Sequence, residues 1–439
     1  MSPAEPRSLI RRGLRFVFVV VSFLLALTVV LAVVAWRKSS TPLVRMLPAA
    51  ESGVDLEGYR RGEYHFPGAS WKPVDPVRFG WSAEKLDRAH TYARSCDTSS
   101  LVVLHRGVPI AMWGDIERRE NSQSIRKALI SSLYGGLVSE GQLDLDTTLE
   151  ALGIDDEPPL TAEEKTATVR DLLLSRSGIY HSALYEAGGW KRNKPERSSA
   201  APGEEWYYNN WGFNALSTIY ERVSGVGLED GFATYIAEPL GMEDYRPRDV
   251  FYVRRDDLAE RIQGNGSNHP AYIFMISARD LARFGLLYLA EGRWKGREVL
   301  PSGWVRESTI DAAMETGWDD RRYGFLWWVM PPRGALPYVS IVASGGRGHK
   351  MTVVPALDLV VIHRLPTGGP GFGAQLFRRF VWHPVVDDSE YDTILAMILE
   401  AYPDPLPAPP TVNPLDEPSS NPVVEDDAGT RPAPNRSAS

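Results

Sequence analysis

Cysteine is almost absent from this chain. A single thiol, Cys96, among 439 residues cannot close an internal disulfide, so no disulfide framework exists. Histidine is also sparse: the eight histidines are scattered, with no H-E-x-x-H and no paired C-x-x-C, and no zinc site is expected. The G-x-S-x-G turn that presents a serine in α/β-hydrolases is missing. Gly264-Asn265-Gly266 lacks a third spaced glycine and a preceding apolar strand, so it reads as a turn, and no cofactor is implied. Basic clusters are missing too. Lys and Arg total 48 against 56 Asp and Glu, a formal net charge of -8 with both signs interspersed, which argues against a nucleic-acid partner.

What remains is apolar and aromatic. The chain is 43% hydrophobic and 10% aromatic, enough for a substantial core. Phe16 to Trp36 is a 21-residue run without charge. At about 1.5 Å per residue such a helix spans a hydrocarbon layer of roughly 30 Å. Arg7, Arg11, Arg12 and Arg15 precede it and outnumber Arg37 and Lys38 beyond it, which favours a cytoplasmic N-terminus. A cleaved signal peptide is the rival, but its apolar region would be shorter and no small-x-small site precedes Trp36. The expectation is a basic cytoplasmic segment (1–15), a single membrane span (16–36) and a lead-in with scattered prolines (37–75). A folded body (76–402) lies outside the cytoplasm. Residues 403–439, with ten prolines, form a tail expected to be disordered.

Within the body, Ser82 to Ala93 reads as a helix capped by Ser82, and Leu101 to Trp113 as two strands joined at Arg106-Gly107. From about 142 to 310 the patterns are mostly helical. Strands return at Tyr323–Met330, Tyr338–Ala343, Met351–Val354 and Leu359–Arg364, and Glu390–Tyr402 reads as a last helix. Strands at both ends of a helical middle predict an α+β fold. One antiparallel sheet flanked by helices would join an all-helical lobe, with a cleft between them.

Ser124-Ile125-Arg126-Lys127 is an S-x-x-K. Ile125, Leu129, Leu133 and Leu137 recur every four residues, so Ser124 opens an amphipathic helix and Lys127 sits one turn on. Serine needs a base to take its proton, and lysine serves when burial or a nearby cation lowers its pKa. The helix start also offers free backbone N–H groups to an oxyanion. A second copy, Ser82-Ala83-Glu84-Lys85, reads as an ordinary helix cap. Two further pairs, Tyr207 with Asn209 and Tyr208 with Asn210, each have the form Y-x-N.

The order of motifs resembles the serine β-lactamases of class C type, with their related esterases, D-amino-acid peptidases and penicillin-binding proteins. The likeness runs from about 80 to 365. It includes Glu140–Asp146, Val169-Arg170-Asp171-Leu172-Leu173-Leu174-Ser175-Arg176-Ser177-Gly178-Ile179, Pro239-Leu240-Gly241-Met242 and Ser277–Gly285. The continuation Asn210-Trp211-Gly212-Phe213 is similar to the family's Y-S-N-x-G-Y and selects Tyr208 and Asn210. The resemblance implies a β-lactamase/transpeptidase-like fold and acyl transfer through Ser124, with Lys127 and Tyr208 handling protons. Asn210, Ser344, Gly345 and Gly346 would hold the substrate. The third motif departs from the family's K-T-G or H-x-G, because Ala343 stands where the cation belongs. Arg347, or less readily His349, is the expected replacement, and His181 is a loop residue that could face the cleft. The implied substrate is a small-molecule or peptide ester or amide. A penicillin-binding enzyme, or an anchored binding protein with weak turnover, is the alternative.

Overall fold

The computed structural model describes residues 48–409 except 187, 318, 368–384 and 404, together with 22, 23, 27, 28 and 415. Most of the expected membrane span and most of the tail lie outside these residues. Among the described residues no helix is long and apolar enough to cross a membrane.

Thirteen strands are described: β1 (Ser100–His105), β2 (Val108–Gly114), β3 (Glu120–Asn121), β4 (Val250–Val253), β5 (Ala271–Ile276), β6 (Arg293–Trp294), β7 (Arg297–Glu298), β8 (Met314–Glu315), β9 (Arg322–Tyr323), β10 (Trp328–Met330), β11 (Ser340–Gly345), β12 (His349–Val354) and β13 (Leu359–Arg364). Eight of them form one sheet in the order β2-β1-β13-β12-β11-β10-β9-β8. Its pairs are antiparallel, and β1 lies against β13 across about 260 residues of chain. A second sheet, β3-β5-β4, was not anticipated; it ties the segment before Ser124 to the helical region.

Alternation along each strand sorts side chains onto two faces. Val102, Leu104, Met351, Val353, Val360 and Ile362 join the core shared with the helical lobe. Leu101, Val103, Val354, Leu359 and Val361 join a second core under two further helices, α1 (Ala83–Ser95) and, from the far end of the chain, Asp388–Glu400. Ser82 caps α1, its hydroxyl accepting from Lys85 N at 3.4 Å, and Lys85 Nζ donates to Glu400 O. The second S-x-x-K is therefore a cap. Three more helices complete the frame: α2 (Arg126–Ser139), α3 (Asn210–Ser224) and α4 (Ala278–Leu289), with Asp388–Glu400 as α5. In α4, Gly285 lets the sheet approach closely; a Cβ there would meet Val360 Cγ1 at 2.6 Å.

The lead-in is not a free linker over its described part. Val54, Tyr59, Trp71 and Val74 are buried, because they add apolar cover to the same two cores. Part of the tail is likewise seated: Tyr338 donates to Pro407 O, and Leu415 is buried beside Val329 and Val339.

Candidate active site

The strand β3 delivers the chain into a tight turn ahead of α2. Ser122 N donates to Phe274 O on β5, and Asn121 Oδ1 accepts from Gln123 N at 2.7 Å. Gln123 has φ +51°, a left-handed backbone that a residue with a side chain seldom adopts. The turn leaves Ser124 half-buried at the first turn of the helix, on the wall of a cleft of about 640 Å³.

Lys127 is 2% exposed, and its Nζ lies 3.0 Å from Ser124 Oγ. The same nitrogen lies 4.7 Å from the ring centres of both Tyr208 and Phe213. Burial pushes the amine well below the ordinary lysine range, and the charge of Arg126 adds to the effect. The arrangement sets a buried amine with a weakened hold on its proton beside a hydroxyl.

Tyr208 is held between aromatic faces, stacked on Trp190 at 4.7 Å and on Trp328 at 5.9 Å. Burial raises its phenol to about 12, while interaction with the Ser124 hydroxyl and the Arg126 charge oppose the rise. Tyr208 stays protonated.

The two Y-x-N registers have different fates. Asn209 caps α3, accepting from Trp211 N at 3.1 Å and donating to Ile179 O at 2.6 Å; Tyr207 OH donates to Trp190 O. Tyr208 and Asn210 line the cleft. The segment from Val169 to Ile179 positions them. Ser175 Oγ donates to Tyr207 O at 2.5 Å and accepts from Asn209 N at 3.0 Å, and Ser177 Oγ accepts from Asn209 Nδ2.

On the opposite wall, the end of β11 packs on the turn before Ser124. A Cβ on Gly345 would sit 2.9 Å from Ser122 O, so glycine is what allows the approach. Ser344, Gly345 and Gly346 all line the cleft. Arg347 does not. It is exposed on a turn at φ +71° and is absent from the cleft wall, because the left-handed turn carries its side chain outward. His349 is fully buried with neither ring nitrogen partnered among the described residues, and burial holds it well below the ordinary imidazole range. His181 is buried 3.5 Å from Glu164 and is not on the cleft wall.

The cation that does reach this wall is Lys350, which sequence reasoning missed. It stands opposite Ser344 in the β11–β12 register, donating to Ser344 Oγ and to Asp388 Oδ1, each at 2.8 Å. Ala343 alternates to the other face, opposite Met351 in the helical core. Strand alternation around Ser344 was the available signal, but it needs the pairing partner. Arg321, Arg333 and Asp392 extend this charged wall. Among the described residues no cluster of His, Cys, Asp and Glu suits a metal ion.

Comparison with known proteins places this geometry. A 6-aminohexanoate-dimer hydrolase from Paenarthrobacter ureafaciens is 21% identical over 329 residues, covering 66% of this chain and 78% of that protein. A Bacillus anthracis structure assigned as a 6-aminohexanoate-dimer hydrolase superposes with TM-score 0.51 at 19% identity, covering 72% of this chain and 82% of the other. A class C β-lactamase variant gives TM-score 0.50 at 13% identity over 73% of this chain and 98% of the other. At such identities the superpositions establish the fold. The Beta-lactamase family profile matches residues 119–363, more than half of the sequence and all three motifs of the cleft, and the chain belongs to that family.

Proposed function

We propose that the chain is a serine hydrolase that cleaves an ester or amide through an acyl-enzyme on Ser124. The observation that carries this reading is the 3.0 Å contact between the Ser124 hydroxyl and a buried amine that has no carboxylate against it among the described residues. Family membership supports hydrolase chemistry in general, since the relatives include hydrolases of the same fold.

In the proposed reaction Lys127 accepts the Ser124 proton as Oγ forms a bond to the substrate carbonyl carbon. The carbonyl π electrons move to oxygen, and the resulting oxyanion rests on the backbone N–H groups of Ser124 and Gly346. Collapse re-forms the carbonyl and breaks the bond to the leaving alcohol or amine. That group takes the proton from Lys127 through the Tyr208 hydroxyl, which gives one proton and receives another. Water then adds to the acyl carbon, its proton passing to Lys127. A second collapse releases the carboxylic acid and returns the proton to Ser124.

Asn210 holds the substrate carbonyl side in this reading, and Trp190 and Trp328 supply apolar walls. The likeness to a 6-aminohexanoate-dimer hydrolase supports including linear amides among the substrates tried. The placement of the body outside the cytoplasm, on an N-terminal membrane helix, is proposed from the uncharged run at 16–36 and the arginines that precede it. The test is a screen against p-nitrophenyl esters, nitrocefin, D-Ala-D-Ala peptides and 6-aminohexanoate dimer, run beside Ser124→Ala. Turnover by wild type that Ser124→Ala abolishes is expected. Equal rates for the two proteins would remove Ser124 from the reaction.

A further inference from the structure

Arg126 is a buried cation without a counter-charge. The residue is 1% exposed, and no acidic side chain lies within ion-pair distance of it among the described residues. Its guanidinium lies over the Tyr272 ring at 4.5 Å and the Tyr185 ring at 5.5 Å. Nη1 donates to Tyr272 O at 2.8 Å, and Nε has no hydrogen-bond partner among the described residues. Arginine does not shed its proton, so the site holds a permanent charge in low dielectric, an arrangement that is expensive for the fold. Yet this residue lines the same cleft as Ser124 and Tyr208.

The other cations do not fill this role. The third motif places Ala343 in the core, and the cations of that wall are paired: Lys350 and Arg321 with Asp388, and Arg333 with Asp392. We propose that Arg126 supplies the positive field of the active site, the part left vacant by Ala343, and acts on the reaction through Lys127 and Tyr208 rather than by touching substrate. The inference rests on the assignment of Ser124 and Lys127 as nucleophile and base.

Several groups bear on Lys127. Ser124 precedes it on the same turn, Tyr208 and Phe213 face it from α3 and its lead-in, and Arg126 adjoins it on α2. Tyr272 on β5 and Tyr323 on β9 interact with Tyr208 behind it, and both phenols are raised by burial and so stay neutral. The carboxylates on the cleft wall are otherwise engaged: Glu186 with Lys194, Glu260 with Tyr185 N and Asn265, Asp388 with Lys350, and Asp392 with Arg333. Burial is the larger influence on Lys127, and Arg126 is the one charge that acts in the same direction. It also opposes the burial-driven rise of Tyr208. As a positioning residue, Arg126 would be visible in the pH profile before anything else.

The experiment compares wild type, Arg126→Met and Arg126→Lys by the pH dependence of kcat/KM on a neutral p-nitrophenyl ester. A parallel ¹⁵N-lysine NMR titration of the Lys127 amine in a Ser124→Ala background, assigned by Lys127→Arg, does not depend on turnover. Removing a positive neighbour raises an amine's pKa. Arg126→Met should therefore move the acid limb and the Lys127 titration together to higher pH, by about one unit or more. Arg126→Lys puts an amine under the same desolvation that lowers Lys127 and should move both in the same direction as Arg126→Met. Unmoved titration in Arg126→Met would overturn the role. If Ser124→Ala proves as active as wild type, the nucleophile assignment fails instead, and the NMR titration still decides whether Arg126 sets the Lys127 amine. Thermal melts identify a variant that has lost its fold, in which case Arg126→Gln takes the place of Met.

Discussion

Replacing Lys127 by methionine should stop catalysis and stabilise the protein, and the stabilisation should fade as pH rises. The account requires Lys127 to be an uncharged amine at pH 7, kept so first by burial and second by Arg126. In the unfolded chain the same amine has a pKa of about 10.4. Folding at pH 7 must then release a proton, at a cost of at most about 4.6 kcal/mol, from roughly 1.36 kcal/mol for each of about 3.4 pH units. The unfolded state binds one more proton, so wild-type stability rises with pH, by about 1.36 kcal/mol per unit relative to Lys127→Met. The rise ends near pH 10.4, where the unfolded amine is also neutral. Methionine keeps the stem's packing among Tyr208 and Phe213 and removes the proton release. Urea unfolding of both proteins at pH 7, 8, 9 and 10, with p-nitrophenyl ester turnover at each pH, measures the two effects. The stability gap should favour the variant at pH 7 and shrink by about 1–1.5 kcal/mol per unit, while kcat/KM falls by about 10²–10⁴. A gap constant across this range would mean that Lys127 keeps its proton on folding, and the base assignment would be refuted.

Tyr208→Phe retains the stacking on Trp190 and Trp328 but removes the proton relay, so kcat should fall by about 10²–10³ with little change in melting temperature. Asn209 and Asn210 should separate cleanly. Asn209→Ala loses a helix cap and leaves Ile179 O without its donor, destabilising by about 1–3 kcal/mol in denaturant titrations. Asn210→Ala should instead raise KM at nearly unchanged stability. Gly345→Ala drives a methyl to 2.9 Å from Ser122 O and should cost about 1–3 kcal/mol together with most of the activity, because the Ser124 turn is displaced. Gly346→Ala, whose nearest neighbour would be Gln123 Oε1 at 3.8 Å, should be tolerated in thermal melts.

Local signals carried much of the fold. The β-branched run from Leu359 to Arg364, set off by the turn at Asp358, reads directly as a strand and is one. Ser82 announces its helix with a hydroxyl cap. The small sheet was not legible because its pairing joins Glu120–Asn121 to Ala271–Ile276, across about 150 residues, inside a stretch whose periodicity is otherwise helical. The positions of Ser124, Lys127 and Tyr208 followed from motif order, but their protonation did not, since burial is a property of the packed molecule. The charge on the third wall was misplaced for a similar reason. Arg347 follows Ser344-Gly345-Gly346 in sequence, yet cross-strand register brings Lys350 to Ser344 and turns Arg347 to solvent.

The central claim is that the Ser124 oxygen, activated by Lys127, becomes covalently acylated. Intact-mass spectra after brief exposure to a p-nitrophenyl ester or a fluorophosphonate, followed by peptide mapping, address it directly. The account predicts a single adduct on the peptide containing Ser124, absent in Ser124→Ala and slowed in Lys127→Met. An adduct elsewhere, or steady ester turnover by the Ser124→Ala protein, would contradict it.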